Sequence, residues 1–325
     1  MGKLTSTNFD FSKARDDGFD IRFTSSDGIT LLKYERDRHD SATSAAEYWV
    51  KIPSVASTTD TDFYIYYGKS DAADGADPTA VWDANFKAVW HLKDITTSTV
   101  DDSTVNANNG TKKAASDPPE VDAKIAKGQR FDEGTTVGTG NYINMGSSST
   151  LNSTSAMTVS AWVNFDTVNT GGGSVDEDFY IGRDKSGARA YCMGSSADGP
   201  WQLQINGADI PFSPALGTPV VGTWYFVTVA GNSDGWNFYL DDGSPSTSTW
   251  SAPAAVDEFT YLGRRGYVGN EADYDGILDE VRISDIARSA AWIKADYNSE
   301  NDTLLTYGPE QIKIRLSTLP LLKVG

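Results

Sequence analysis

The sequence is short of the residues that would narrow its chemistry at once. It has one cysteine, Cys192, and two histidines, His39 and His91, in 325 residues. A single thiol excludes an intrachain disulfide. Within Ala190-Tyr191-Cys192-Met193 it reads as a small buried hydrophobe. No apolar run approaches the roughly 20 residues that a membrane span requires. Met1-Gly2-Lys3-Leu4 leads into polar residues, so no secretory leader is visible. Basic residues are also scarce, with 27 Lys+Arg against 45 Asp+Glu and a formal net charge of −18. Residues 1–85 carry 9 basic against 15 acidic groups, residues 86–310 carry 15 against 30, and residues 311–325 carry 3 against none. Both acidic bodies repel phosphate backbones and anionic lipid, which argues against nucleic-acid binding and membrane insertion. The same field suits divalent cations, solubility or adaptation to salt.

What is abundant is the material of short strands and turns. There are 9 Trp, 15 Tyr and 13 Phe, with 30 Gly and much Ser, Thr, Asn and Asp. The length favours two domains and the composition an all-β chain. Strands are expected at Asp20-Ile21-Arg22-Phe23, Thr30-Leu31-Leu32-Lys33-Tyr34, Glu47-Tyr48-Trp49-Val50 and Phe63-Tyr64-Ile65-Tyr66-Tyr67, with Lys69 to Pro78 as a linker. The stretch Glu35-Arg36-Asp37-Arg38 with His39 reads as solvated. A second set of strands begins at Ala88-Val89-Trp90-His91-Leu92. In it Met157, Val159, Ala161, Val163 and Phe165 share one face, as a strand buried on one side requires. Strands without intervening helices indicate an antiparallel β-sandwich or jelly roll. One short helix near the end can be capped by Ser284 or Asp285 and face the sandwich with Ile286, Trp292 or Ile293, and Tyr297.

The run Phe9-Asp10-Phe11-Ser12-Lys13-Ala14-Arg15-Asp16-Asp17-Gly18-Phe19-Asp20-Ile21-Arg22-Phe23, with Trp49-Val50-Lys51-Ile52-Pro53 and Tyr64-Ile65-Tyr66-Tyr67-Gly68, resembles the domain of unknown function numbered 2341. Members of that family often open with a further aromatic-bearing strand. The resemblance therefore implies that residues 1–85 lack a first strand, which another segment supplies or whose absence leaves an edge open. Residues 86–310, above all Gly276-Ile277-Leu278-Asp279-Glu280-Val281-Arg282-Ile283, resemble the laminin-G-like jelly roll of the concanavalin-A-like superfamily. Residues 311–325 lie beyond that family's end. Ile312, Ile314, Leu321 and Leu322 would make this tail an assembly or docking arm.

Chemistry is sparse. Glycoside hydrolases of this superfamily need two carboxylates across the scissile bond, and no Glu-x-Asp-x-Glu run supplies them. Asp279 and Glu280 are adjacent, so on a regular strand they point to opposite faces. His91, between Trp90 and Leu92, reads as a satisfied structural histidine, so no enzymatic activity is expected. The loop 101–110 gathers carboxylates and amides, the hard oxygen donors that Ca²⁺ prefers. The laminin-G-like resemblance implies a structural calcium held by Asp102, Asn106, Asn108 and Asp279, with Glu280. The competing reading is an Asx-rich loop whose side chains satisfy its own backbone. For a ligand, the rim loops offer Tyr267, Asn270, Tyr274 and Trp201, an aromatic and polar set suited to sugars.

The expected function is non-enzymatic binding or adhesion toward a glycan or a partner protein, outside a cell or on a virion surface. Two alternatives stand beside it. One is a structural component of a particle, such as a phage head decoration or tail protein, assembled through the C-terminal tail. The other is a glycan-active enzyme.

Overall fold

The alternation of Met157, Val159, Ala161, Val163 and Phe165 becomes the strand Ala156–Phe165 in the middle of the larger unit. It pairs antiparallel with Trp224–Asn232 on one side and Gly276–Ser284 on the other. The computed structural model describes all of the chain except residues 57, 135–137, 169–176, 186–187, 267–271 and 312–325. Around the central strand lies an eight-stranded sheet, and a nine-stranded sheet faces it. Their inner faces enclose Trp90, Phe131, Phe165, Tyr180 and Tyr274, all fully buried. Each such side chain contributes about 1.5–3 kcal/mol through the apolar area it removes from water. The fold is all-β and antiparallel, a two-sheet sandwich behind a smaller β unit, with one α-helix among the described residues.

The central strand is buried on both faces, not one. Trp162 points away from the sandwich and packs with Phe226, Tyr239 and Ile293. The helix Ala290–Glu300 and the first unit cover that outer face. The helix starts later than Ser284 or Asp285, because the strand Gly276–Ser284 is still extended there and Asp285 N–H donates to Asn85 O at 2.9 Å. Ser289 is its cap, accepting from Trp292 N–H at 3.3 Å.

The first unit has two three-stranded antiparallel sheets. Gly2–Thr5, Ala45–Val50 and Tyr34–Asp40 form one; Leu31–Leu32, Arg22–Ser25 and Phe63–Tyr66 form the other. Phe23 packs between Tyr34 and Tyr48, with ring centroids 5.2 and 5.4 Å away. The charged stretch expected to be solvated is instead the strand Tyr34–Asp40, and it buries Glu35 and Asp37. His39 is half-buried, with Nδ1 2.7 Å from the Tyr48 hydroxyl. Trp49, from the strand Ala45–Val50, joins Trp162 and Phe226, so the first unit docks on the outer face of the eight-stranded sheet.

Candidate functional site

The loop expected to hold calcium uses its donors on itself. Asp102 is buried, and its Oδ1 accepts from Val89 N–H at 3.0 Å and Thr104 N–H at 2.9 Å. Its Oδ2 accepts from Thr104 Oγ1 and Asn108 N–H, both at 2.9 Å. Asn106 Nδ2 donates to Phe86 O at 3.1 Å, and Asn108 Nδ2 to Lys87 O at 2.8 Å. Asp279 Oδ2 accepts from Ile125 N–H at 2.7 Å, and Glu280 binds His91 and Arg282. Among the described residues, Asp37, His91 and Glu280 are the group of three such side chains whose ligand atoms lie within 4.8 Å of one another. Within the set Asp102, Asn106, Asn108, Asp279 and Glu280, the four donors on Asp102 compete with any cation, whereas Asp279 Oδ1 is buried without a hydrogen-bond partner. The physical reason is that a carboxylate already saturated by backbone N–H groups leaves little oxygen density for a cation. A chelator such as EDTA is accordingly expected to leave the melting temperature unchanged, as calorimetry with and without added Ca²⁺ would check.

Asp279 and Glu280 do not point to opposite faces either. The pairing with Ala156–Phe165 shifts register between Ser160 and Trp162, and Glu280 adopts φ +52°. This bulge turns Glu280 to the same outer side as Arg282, while Leu278 and Val281 stay in the core. There Glu280 meets the first unit's charged strand. His91 Nδ1 lies 2.8 Å from Glu280 Oε1, and Nε2 lies 3.2 Å from Glu35 Oε2. Glu35 also accepts from Ser103 Oγ at 2.6 Å and Trp82 Nε1 at 3.0 Å. The His91 ring stacks on Trp49 at 5.2 Å and 19°. Arg282 places its guanidinium 4.5 Å from the Trp49 ring centre and bonds Glu280 at 2.7 Å, Asp296 at 3.0 Å, and Glu300.

Burial disfavours every charge in this junction, and the pairing decides which survive. It opposes the His91 cation, but Glu280 and Glu35 outweigh it and hold His91 well above the ordinary histidine range. It would raise Glu35, yet the His91 charge and the hydrogen bonds bring that carboxyl down to about 2. Glu280 is likewise lowered by His91 and Arg282 against its burial. Asp279 is pushed well up by burial and by the neighbouring Glu280. His91 Nδ1 lies 2.8 Å from both Glu280 oxygens, while Nε2, 3.2 Å from Glu35 Oε2, makes no hydrogen bond. The Asp37, His91 and Glu280 group is thus a buried cluster of paired charges at the junction of the two units.

The residues expected to line a ligand site divide. Tyr267 and Asn270 lie outside the described residues, as do the tail positions Ile312, Ile314, Leu321 and Leu322. Trp201 and Tyr274 are core residues, not rim residues. Trp201 shares the inward side of its strand with Leu203 and Ile205 and packs edge-on against Phe165 at 5.4 Å. Tyr274 is fully buried and donates its hydroxyl to Asn164 O at 2.7 Å.

An aromatic surface that the sequence reading missed lies on the outer face of the nine-stranded sheet. Ile143, Met145 and Leu262 point into the sandwich. By the period of two, Tyr142, Asn144, Phe259 and Tyr261 point out. Asn144 pairs with Tyr261 across the middle of the sheet. The Tyr142 and Tyr261 rings meet edge to face at 5.5 Å, and Phe259, 45% exposed, lies 6.1 Å from Tyr261. Arg264 lays its guanidinium 4.7 Å from the Tyr142 ring centre and 5.6 Å from that of Tyr261. Beside them the same face is covered. A Cβ on Gly182 would come within 3.1 Å of Arg265 Cα, because residues 264–266 cross over the strand Asp178–Lys185. Under that crossing Arg265 binds Glu177 at 3.0 Å, Gln204 at 2.6 Å and Asp184 at 3.2 Å. Cys192 is buried there, and burial pushes its thiol pKa up. The alternation in Tyr142-Ile143-Asn144-Met145 and Phe259-Thr260-Tyr261-Leu262 was the signal for the open half.

Residues 137–294 match the concanavalin A-like lectin/glucanases superfamily, and residues 17–104 match the domain of unknown function 2341. Among solved structures, domain 4 of AbnA, a GH43 extracellular arabinanase from Geobacillus stearothermophilus in complex with arabinotriose, is 17% identical. The alignment covers 66% of this chain and 99% of that one, with a TM-score of 0.50. The binding domain of Paraclostridial mosquitocidal protein 1 is 15% identical over 66% of this chain and 52% of that chain, at a TM-score of 0.49. Trypanosoma rangeli sialidase in complex with the inhibitor DANA is 14% identical over 73% of this chain, at a TM-score of 0.47, and only 35% of its own length is spanned. At these identities the likeness is one of fold. No curated protein matches the chain.

Proposed function

We propose that this concanavalin-A-like jelly roll is a glycan-binding module whose ligand lies across the open half of its nine-stranded sheet. The observation that carries the reading is the outward row Tyr142, Phe259 and Tyr261, flanked by Asn144 and Arg264. Sugar rings offer C–H faces that stack on aromatic rings, and their hydroxyls suit planar amide and guanidinium groups. Binding is favoured over hydrolysis because Glu177 and Asp184, two buried carboxylates of this face, both end on Arg265. Neither is then poised as general acid or nucleophile. The reading implies an extracellular, cell-surface or virion-surface setting and does not require calcium.

An oligosaccharide array with neutral, amino and acidic arms, arabino-oligosaccharides included, tests it. Retention on at least one arm is expected. Tyr261→Ala should weaken that retention about tenfold, the ~1.4 kcal/mol of one aromatic contact, with little change in melting temperature. Tyr261→Phe should bind like the parent chain. No retention on any arm, or retention indifferent to Tyr261→Ala, would overturn the reading.

A further inference from the structure

We infer that the basic, apolar segment following Gln311 docks in a groove on the first β unit of its own chain. The groove holds about 720 Å³, and apart from Glu310 its lining comes from the first unit. Phe9, Phe11 and Tyr67 give it an aromatic floor. Phe9 lies 5.0 Å from Phe11 and 4.7 Å from Tyr67, and both phenylalanines belong to the first unit's core. Asp10, Asp16 and Glu310 add exposed carboxylates, and none of the described lining residues is basic. Lys13, beside the groove, answers Asp10 at 3.6 Å and Glu310. Asp16 has no ion pair among the described residues, so the groove keeps negative charge to spare.

Glu310 joins the groove to the segment. Tyr307 packs on the first unit's core and donates its hydroxyl to Lys3 O at 2.7 Å, which holds the chain against that unit just before the groove. Gln311 is the last described residue, and 312–325 lie outside the described part. In a chain of net charge −18 that segment carries Lys313, Arg315 and Lys323 and no acidic residue. Ile312-Lys313-Ile314-Arg315-Leu316 alternates apolar and basic residues, so an extended run of it has one apolar and one cationic side. The first side suits the aromatic floor and the second the carboxylates. Tethering selects the occupant. Residues 312–316 reach about 17 Å when extended, and a segment joined to the groove's lip meets it at an effective concentration of about millimolar, ahead of the same segment on another copy.

Disulfide trapping in the full chain tests the docking. Cys192, the one native cysteine, is buried, and burial pushes its thiol pKa up, so it does not compete. Ser41→Cys, in the groove lining, is paired in turn with Lys313→Cys, Ile314→Cys, Arg315→Cys and Leu316→Cys. Ser6→Cys repeats the series from a second lining position, in case Ser41→Cys disturbs its turn. At least one pair is expected to close within the chain under mild oxidation and to run as a monomer on a non-reducing gel. Adding Asp16→Lys should slow closure about threefold, the worth of one exposed charge pair. Salt at about 1 M, where the screening length is about 3 Å, should slow it similarly. No closure in either series, closure between copies to give dimers, or a rate indifferent to Asp16→Lys would overturn the inference.

Discussion

Arg282→Leu is expected to cost about 3–5 kcal/mol of stability, the penalty for stranding buried charge by removing one partner. Arg282 is 1% exposed and is the cation for Glu280, Asp296 and Glu300 together. Its flat face also lies 4.5 Å from Trp49 and 5.2 Å from Trp82, the aromatic surface that joins the two units. Leucine keeps some of the apolar volume and none of the five donors, so the loss is mainly electrostatic. Lysine should rescue little, since one ammonium cannot bridge three carboxylates with the geometry of a planar fork. Urea unfolding at pH 7 measures the effect. Adding Glu300→Gln to Arg282→Leu should recover little of the loss, because burial raises Glu300 to about 8 even beside that guanidinium, so at pH 7 it carries little charge to strand. A single variant within about 1 kcal/mol of the parent chain would show that the carboxylates find other partners.

Asp102→Ala should cost about 2–4 kcal/mol by a different route. Four donors converge on this one carboxylate: Val89 N–H, Thr104 N–H, Thr104 Oγ1 and Asn108 N–H. Alanine leaves at least three backbone N–H groups without a partner in a buried loop, each worth about 1–3 kcal/mol before relaxation. The loop also positions Ser103, whose hydroxyl reaches Glu35 of the first unit at 2.6 Å, so the junction should loosen as well. Asp102→Asn keeps one acceptor but turns an NH₂ toward N–H groups, and should recover less than half of the loss. The same unfolding curves with and without millimolar Ca²⁺ separate this account from a metal site: a carboxylate that organises backbone gives a calcium-independent loss.

Much of the architecture was legible because it rests on local periodicity. Met157 to Phe165 alternates with the pleat, and the strand it predicts sits at the centre of the sandwich. The order of strands sufficed for the jelly roll and for the smaller β unit before it, and both family matches agree. The aromatic face was equally written in alternation, at Tyr142-Ile143-Asn144-Met145 and Phe259-Thr260-Tyr261-Leu262. Trp201 and Tyr274, expected at the rim, are core residues. A tyrosine in a Gly-rich stretch does not declare which way it faces, since no pleat constrains it.

The sequence by itself determined the fold class, the two-unit order and the residue types available to a site, for these follow from composition and from the period-two pattern of each strand. Tertiary structure alone decided which charges are buried. Glu35, Asp37, His91, Glu280 and Arg282 come from three separate strands or their edges, and nothing local marks them as one cluster. The bulge at Glu280 depends on a register shift against a strand more than a hundred residues away, so adjacency misled where pairing ruled. A charged run looks solvated until a second surface covers it. Here that surface is the outer face of the eight-stranded sheet, and covering it turned Glu35-Arg36-Asp37-Arg38 from a solvent-facing stretch into half of a junction.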